Sequence, residues 1–103
     1  MSLLSVVIPA YNEGAMIHKT AEVVSSLLLE NNIEYEIIFV NDGSKDTTWE
    51  EIVNASANNK NIKGVCFSRN FGKEGAVFAG LEHASGDCCV VMDCDLQHPP
   101  KTI

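Results

Sequence analysis

Tyr35-Glu36-Ile37-Ile38-Phe39-Val40, followed at once by Asn41-Asp42-Gly43-Ser44, is the stretch on which the fold turns. A short β-branched apolar run closed by turn-forming residues reads as a buried strand, because a helix of that burial would run longer. Asp46-Thr47-Thr48 then opens a helix, with Trp49, Ile52 and Val53 on its apolar side. The same order of strand, polar turn and helix recurs on both flanks. Upstream, residues 4–8 form a strand closed by Pro9, and Asn12 suits a helix N-cap. Ile17, Ala21, Val24 and Leu28 then repeat at helical spacing until Asn31-Asn32. Downstream, the polar connector of residues 57–61 leads into a strand over 62–67. A helix over 73–84 follows, with Val77, Gly80, Leu81 and Ala84 on one face. Ser85-Gly86-Asp87 is a turn, and a fourth strand over 88–92 ends at Asp93.

Strands that alternate with helical crossovers predict an α/β fold, a Rossmann-like parallel sheet with helices on both faces. The chain of 103 residues is 46% hydrophobic, enough for a core. No apolar run approaches the ~20 residues that span a bilayer. Its net charge of -7 argues against binding nucleic acid, which needs a positive field. Cys66, Cys88, Cys89 and Cys94 form no C-x-x-C pair and have no histidine at zinc-ligand spacing, so they read as small buried hydrophobes. The turn after the first strand is Pro9-Ala10-Tyr11-Asn12-Glu13, not a glycine-rich dinucleotide turn, and neither a P-loop nor a G-x-S-x-G elbow occurs.

Each strand ends in a polar cluster, and in an open parallel sheet those ends share one edge, where ligands bind. Asp93-Cys94-Asp95 is the sharpest cluster. Two carboxylates just past an apolar strand are costly without compensation, and hard cations such as Mg2+ or Mn2+ favour such oxygen ligands. A nucleotide diphosphate facing Asp42, Asp93 and Asp95 alone would be repelled; a bridging cation reverses the sign. The same aspartates also suit a solvated turn. Asp42 suits either a base N–H and ribose hydroxyls or a turn within Asp42-Gly43-Ser44. Tyr11 suits covering a base or packing the edge, and Glu13 suits a ligand or a helix dipole. Arg69 and Lys73 are the cations near this edge, available to phosphate oxygens or to solvent. His98, before two prolines, reads as structural, and His18 and His83 lie on helices away from this chemistry.

Val6-Val7-Ile8-Pro9-Ala10-Tyr11-Asn12-Glu13, Val40-Asn41-Asp42-Gly43-Ser44-Lys45-Asp46-Thr47 and Asp93-Cys94-Asp95 resemble the family 2 glycosyltransferases of the GT-A fold. Ser68-Arg69-Asn70-Phe71-Gly72-Lys73-Glu74 and Met92-Asp93-Cys94-Asp95-Leu96-Gln97-His98-Pro99-Pro100 resemble the narrower polyprenyl-phosphate branch, that of dolichol-phosphate mannosyltransferases and bactoprenol glucosyltransferases. The resemblance implies transfer of a sugar from a UDP- or GDP-sugar, with inversion, assisted by Mg2+ or Mn2+. It places Pro9, Tyr11, Glu13, Val40 and Asp42 at base and ribose, Asp93 and Cys94 at the nucleotide-sugar, Asp95 on the metal and Gln97 beside it. Cys94 stands where the branch often has alanine, and Asn41 where an aspartate is frequent.

The family's domain runs roughly twice this length. The resemblance therefore implies that residues 1–103 are a truncated nucleotide-sugar-binding half, with the acceptor site and the general base beyond Ile103. It also implies membrane helices beyond Ile103, a parent protein on the cytoplasmic side of the membrane, and a soluble fragment inactive alone. A polyprenyl phosphate is the expected acceptor. A glycan or soluble acceptor, or a non-catalytic nucleotide-binding module, are the alternatives. A nucleotidyltransferase would need a glycine-rich basic loop after the first strand, which Asn12-Glu13-Gly14 does not supply.

Overall fold

Four strands and three main helices alternate through residues 3–94, the residues described by this computed structural model. They are β1 (Leu3–Ala10), α1 (Ile17–Glu30), β2 (Glu34–Asp42), α2 (Thr48–Asn58), β3 (Ile62–Phe67), α3 (Lys73–His83) and β4 (Cys88–Val91). A single 3-10 turn, Gly14–Met16, leads into α1. The strands are all parallel, in the order β3-β2-β1-β4. The chain thus builds outward from β1 in one direction and then returns to its other side with β4. The strand order reverses at β1, the place where open α/β sheets leave a crevice at the carboxyl ends.

The pleat sorts the central strands between two cores. Val6, Ile8, Ile37 and Phe39 face α1 and α2, where they meet Ile17, Ala21, Val24, Leu28 and Ile52. Val7, Ile38 and Val40 face the opposite side and pack on Ala76 and Ala79 of α3. Residues 37–40 are completely buried, each contributing roughly 1.5–3 kcal/mol. Helices therefore cover both faces, as the alternation predicts.

Several element boundaries and faces differ from the sequence reading. Pro9 does not end β1, which runs on to Ala10. The Val7 carbonyl accepts from Met92 N–H on the β4 side, so Pro9, two residues on, turns its N–H-less nitrogen the same way, past the end of the β4 ladder. β2 likewise extends through Asn41 and Asp42, which pair with Cys66 and Phe67 of β3 and are buried. The ladder outlasts the apolar run. Asn12 does not cap α1: it adopts φ +54, and its Oδ1 accepts from Lys45 N–H. On α2, Ile52 is buried but Val53 faces solvent, its place on the inner face taken by Thr48 and Ala55.

The inner face of α3 is made of Ala76, Ala79 and Gly80, while Leu81 and Phe78 are exposed. The helix lies so close to the sheet that a Cβ on Gly80 would stand 2.3 Å from Val7 Cγ1. Small residues permit that approach; larger ones have been turned outward. Cys66, Cys88 and Cys89 are exposed and Cys94 is buried, against the expectation that all four are buried. The three exposed ones lie on β3 and β4, the outer strands of the described sheet, and β4 is not the buried strand that its apolar run suggests.

At the amino-terminal end of the sheet, the buried Glu36 carboxylate gathers three elements. It accepts from Ser5 Oγ at 2.5 Å, Lys63 Nζ at 2.6 Å and Ser85 N–H at 2.6 Å. Burial alone would raise its pKa; the hydrogen bonds from Lys63, Ser5 and Ser85, with the Lys63 charge, more than offset this and hold it below the ordinary value.

Candidate functional site at the carboxyl edge of the sheet

The opposite end of the sheet opens into a cleft of about 540 Å³. It is lined by Pro9 and Ala10 at the end of β1, Tyr11 and Glu13 after it, Asp42 at the end of β2, Asn70, Gly72 and Lys73 before and at the start of α3, and Asp93 and Cys94 after β4. Of the residues singled out for the nucleotide-sugar, Pro9, Tyr11, Glu13, Asp42, Asp93 and Cys94 thus come together. Val40 does not join them: its side chain is fully buried in the core under α3. Asp95 and Gln97, assigned to the metal, lie outside the described residues, as does His98.

The floor is built by two loops that hold each other. Asn12 N–H donates to Ser44 Oγ at 2.9 Å, and Lys45 N–H donates back to Asn12 Oδ1 at 2.8 Å. Glu13 N–H donates to Thr48 Oγ1 at 2.9 Å and Gly14 N–H to Asp46 Oδ2 at 3.2 Å. Asp46 also accepts from the hydroxyl and N–H of Thr48. The Thr48 hydroxyl bond leads in holding the Asp46 carboxyl below the ordinary aspartate range. These bonds are why the αL backbone of Asn12 serves the site better than a cap would. They fix the backbone that carries Tyr11 and Glu13 beside β2.

Asp42 is only 3% exposed. Its Oδ1 accepts from Phe71 N–H at 2.8 Å and its Oδ2 from Asn70 Nδ2 at 3.2 Å, while Asn70 Nδ2 also donates to the Asp42 carbonyl at 3.0 Å. The carboxylate therefore orders the β3–α3 loop rather than a turn within residues 42–44. Two hydrogen bonds leave a carboxylate with acceptor capacity, since its two oxygens offer about four lone-pair sites. The adjoining Gly43 sits at φ +69, and a Cβ there would lie 2.2 Å from Arg69 C, so the two loops touch backbone to backbone.

On the far wall, Lys73 Nζ lies 2.7 Å from Asp93 Oδ1. The next residue, Cys94, is anchored behind the cleft, its carbonyl accepting from the buried Thr20 hydroxyl of α1. The two cations named from sequence part company here. Lys73 lines the cleft, whereas Arg69 stacks 4.6 Å over the Phe71 ring and does not line it. His18 pairs with Glu51 between α1 and α2, away from the cleft. Asn70, Gly72 and Ala10 carry no site role in the sequence analysis; the signals for Asn70 and Gly72 are their place in the loop after β3, on the same edge, and in the stretch of residues 68–74 that resembles the polyprenyl-phosphate branch.

A divalent cation, the group the resemblance implies, meets a fitting donor chemistry. Asp42 and Asp93 bring carboxylate oxygens to one cleft, and Asp93 already holds a cationic ammonium at contact distance. Among the described residues no three His, Cys, Asp or Glu side chains close around one point, so the described part supplies a wall and not a full ligand set.

Residues 5–103 match the family model described as Glycosyl transferase family 2. The chain belongs to this family. Within glycosyl transferase family 2, it is 45% identical over 97 residues to the putative glycosyltransferase CsbB of Bacillus subtilis, covering 94% of this chain and 30% of that protein. It is 46% identical over 101 residues to the bactoprenol glucosyl transferase of Shigella phage SfV, covering 97% of this chain and 33% of that one. The chain thus spans about a third of the length of the curated relatives it matches. Among solved structures, the mannosyltransferase PcManGT from Pyrobaculum calidifontis, in complex with GDP-Man and Mn2+, superposes with a TM-score of 0.79 at 23% identity, over 89% of this chain and 27% of that one. Residues 1-349 of S. aureus TarS, in complex with UDP, give a TM-score of 0.70 at 29% identity, over 92% and 28%. The parallel sheet with helices on both faces is the Rossmann-like fold of GT-A glycosyltransferases.

Proposed function

We propose that this chain is the nucleotide-sugar-binding half of a glycosyltransferase domain. The whole protein would transfer a hexosyl group from a UDP- or GDP-sugar to a polyprenyl phosphate, with inversion. The observation that carries the reading is the convergence of Asp42 and Asp93, from opposite sides of β1, on one cleft at the point where the strand order reverses. The bactoprenol glucosyl transferase relative supports the acceptor class, and the UDP complex of TarS supports a nucleotide donor.

In this reading Asp42 uses its remaining acceptor capacity on a base N–H or the ribose hydroxyls, held in place by Asn70 and Phe71. Tyr11, which is exposed at the cleft, covers the base or ribose, while Pro9, Glu13 and Val40 shape the backbone around them. Asp93 and Cys94 meet the sugar-diphosphate. Asp95 and Gln97 hold Mg2+ or Mn2+, which when bound neutralises the diphosphate and stabilises charge developing on it as leaving group. An acceptor phosphate oxygen bonds to the anomeric carbon on one face as the bond to the diphosphate oxygen breaks on the other. The acceptor site, the general base and the membrane contact, on the cytoplasmic side, belong to the two thirds of the relatives' length that this chain does not cover. No helix among the described residues is long and apolar enough to cross a membrane.

Isothermal calorimetry of the chain with UDP and with GDP, each with and without Mn2+, tests the site. One nucleotide should bind, more tightly with metal. Asp95→Ala should abolish the metal-dependent increment. Asp42→Ala should weaken binding about tenfold or more in both conditions, the loss expected of a hydrogen bond to a charged group. Two variants that bind like the parent would refute the assignment. Sugar transfer by the 103-residue chain alone would refute the division into halves.

A further inference from the structure

Among the described residues that line the cleft, Lys73 is the one cation, set against Glu13, Asp42 and Asp93. It is the first residue of α3, directly after Gly72, and its ammonium reaches across to Asp93 at the end of β4. The contact is therefore a bridge between two elements, α3 and the segment after β4, on one wall of the cleft. Its setting is open: the Lys73 side chain is 64% exposed and that of Asp93 34%. An ion pair so placed is worth no more than a few-fold in equilibrium constant, so an incoming ligand can break it readily. Lysine is suited to such an exchange, because its flexible stem carries three rotatable donors and can swing without moving backbone. Arg69 cannot take the part while it stacks on Phe71 outside the cleft lining.

We propose that Lys73 is a built-in counter-ion of the donor site. It neutralises Asp93 while the site is free and, when a divalent cation held beside Asp93 brings in a diphosphate, turns from Asp93 to the diphosphate oxygens. This deepens the donor-site reading above and rests on it. The consequence is a split in sign. An ammonium beside the acidic wall repels a bare divalent cation, and the same ammonium attracts a metal-bound diphosphate. Lys73 should oppose the metal alone and favour the metal with nucleotide. A lysine that merely props β4 against α3 would affect both in the same direction.

The test measures Mn2+ binding alone by the electron paramagnetic resonance of free Mn2+. Binding of UDP, GDP and the corresponding nucleosides is then measured by calorimetry at saturating Mn2+. The proteins are the unmodified chain, Lys73→Met, Lys73→Arg and, as a control outside the cleft, Arg69→Met. Lys73→Met should tighten Mn2+ alone about three- to tenfold and weaken the diphosphate about three- to tenfold, leaving the nucleoside unchanged. Lys73→Arg should restore diphosphate binding. Thermal unfolding checks that each variant is folded, which the exposure of Lys73 favours. Unchanged or weakened Mn2+ affinity in Lys73→Met, or unchanged diphosphate affinity, overturns the counter-ion role while nucleotide binding stands. Failure of the unmodified chain to bind any diphosphate with Mn2+ overturns the donor-site reading, and the counter-ion role with it.

Discussion

Replacing Glu36 by glutamine separates the stability of this fold from its site, because Glu36 lies at the end of the sheet opposite the cleft. Glutamine keeps the shape but loses the charge and one acceptor. Glu36 Oε2 takes the Ser5 hydroxyl and the Ser85 N–H, and Oε1 takes the Lys63 ammonium. The new amide must turn its oxygen to the Ser85 N–H, which can only donate, so its NH2 faces Lys63. The ammonium, on a side chain 49% exposed, then swings into water. The loss is one charge-assisted bond plus the burial of an amide left short of a partner, about 2 kcal/mol, below the full cost of orphaning a buried charge. For a domain of this size that lowers the unfolding midpoint by roughly 8–16 °C near neutral pH.

The pH dependence supplies the sharper check. The folded carboxyl has a pKa below its ordinary value of 4.5. Its stabilisation is therefore complete above that value and is lost as pH falls toward the folded pKa. Glutamine does not titrate, so the gap between parent and Glu36→Gln must narrow on acidification. Thermal melts by circular dichroism at steps from about pH 7 to about pH 3.5 measure it. A midpoint shift under about 2 °C near neutrality, or a gap that stays constant through the acid range, would show that the network does not stabilise the fold as argued.

Three further substitutions probe the packing that presents the cleft. Gly80→Ala adds a methyl where Val7 Cγ1 is 2.3 Å away, so a gain of about 1 kcal/mol in helix propensity should be outweighed and urea unfolding should show a net loss of about 1–2 kcal/mol. Ile52→Ala should cost about 2–4 kcal/mol in the same assay and Val53→Ala less than about 0.5, since only the first is buried; equal effects would contradict the observed face of α2.

The layout of strands and helices was legible because β-branched runs, polar turns and helical spacing agreed with one another at every step. Where the reading slipped, a local rule met a tertiary one. Proline and aspartate commonly close strands, yet Pro9 and Asp42 stay in theirs because the neighbouring ladder allows the one and the β3–α3 loop satisfies the other. Leu81 looked like core and Ala76 did not, since a sequence shows hydrophobicity but not the closeness of a helix to its sheet. Asn12 had the chemistry of a cap, and its side chain instead met Lys45, a partner 33 residues away that no local pattern reveals. Asn70 stood within a recognisable motif but without a role for the same reason: its meaning is its contact with Asp42.

The cleft joins two kinds of wall, and the difference bears on how a donor could be gripped. On the side of β1 and β2, Asn12, Glu13 and Gly14 are tied to Ser44, Lys45, Asp46 and Thr48 by backbone-anchored bonds, and Asp42 is buried with its partners in place. That side is preorganised, and a base or ribose placed there would require little ordering of protein groups. On the side of α3 and β4, the contact runs between a largely exposed side chain, Lys73, and a half-buried one, Asp93, and the lysine stem is flexible. In the proposed donor-site reading, charge arrives with the diphosphate and its cation, so the adjustable wall would face the part of the ligand whose charge must be balanced anew, while the rigid wall would face the part recognised by shape and hydrogen bonding. A site arranged the other way round would spend binding energy on ordering its recognition loops. The division of the cleft into a fixed and a yielding wall is thus the structural reason to expect Asp42 variants to lose affinity with or without metal, and Lys73 variants to shift affinity in opposite directions for metal and for nucleotide.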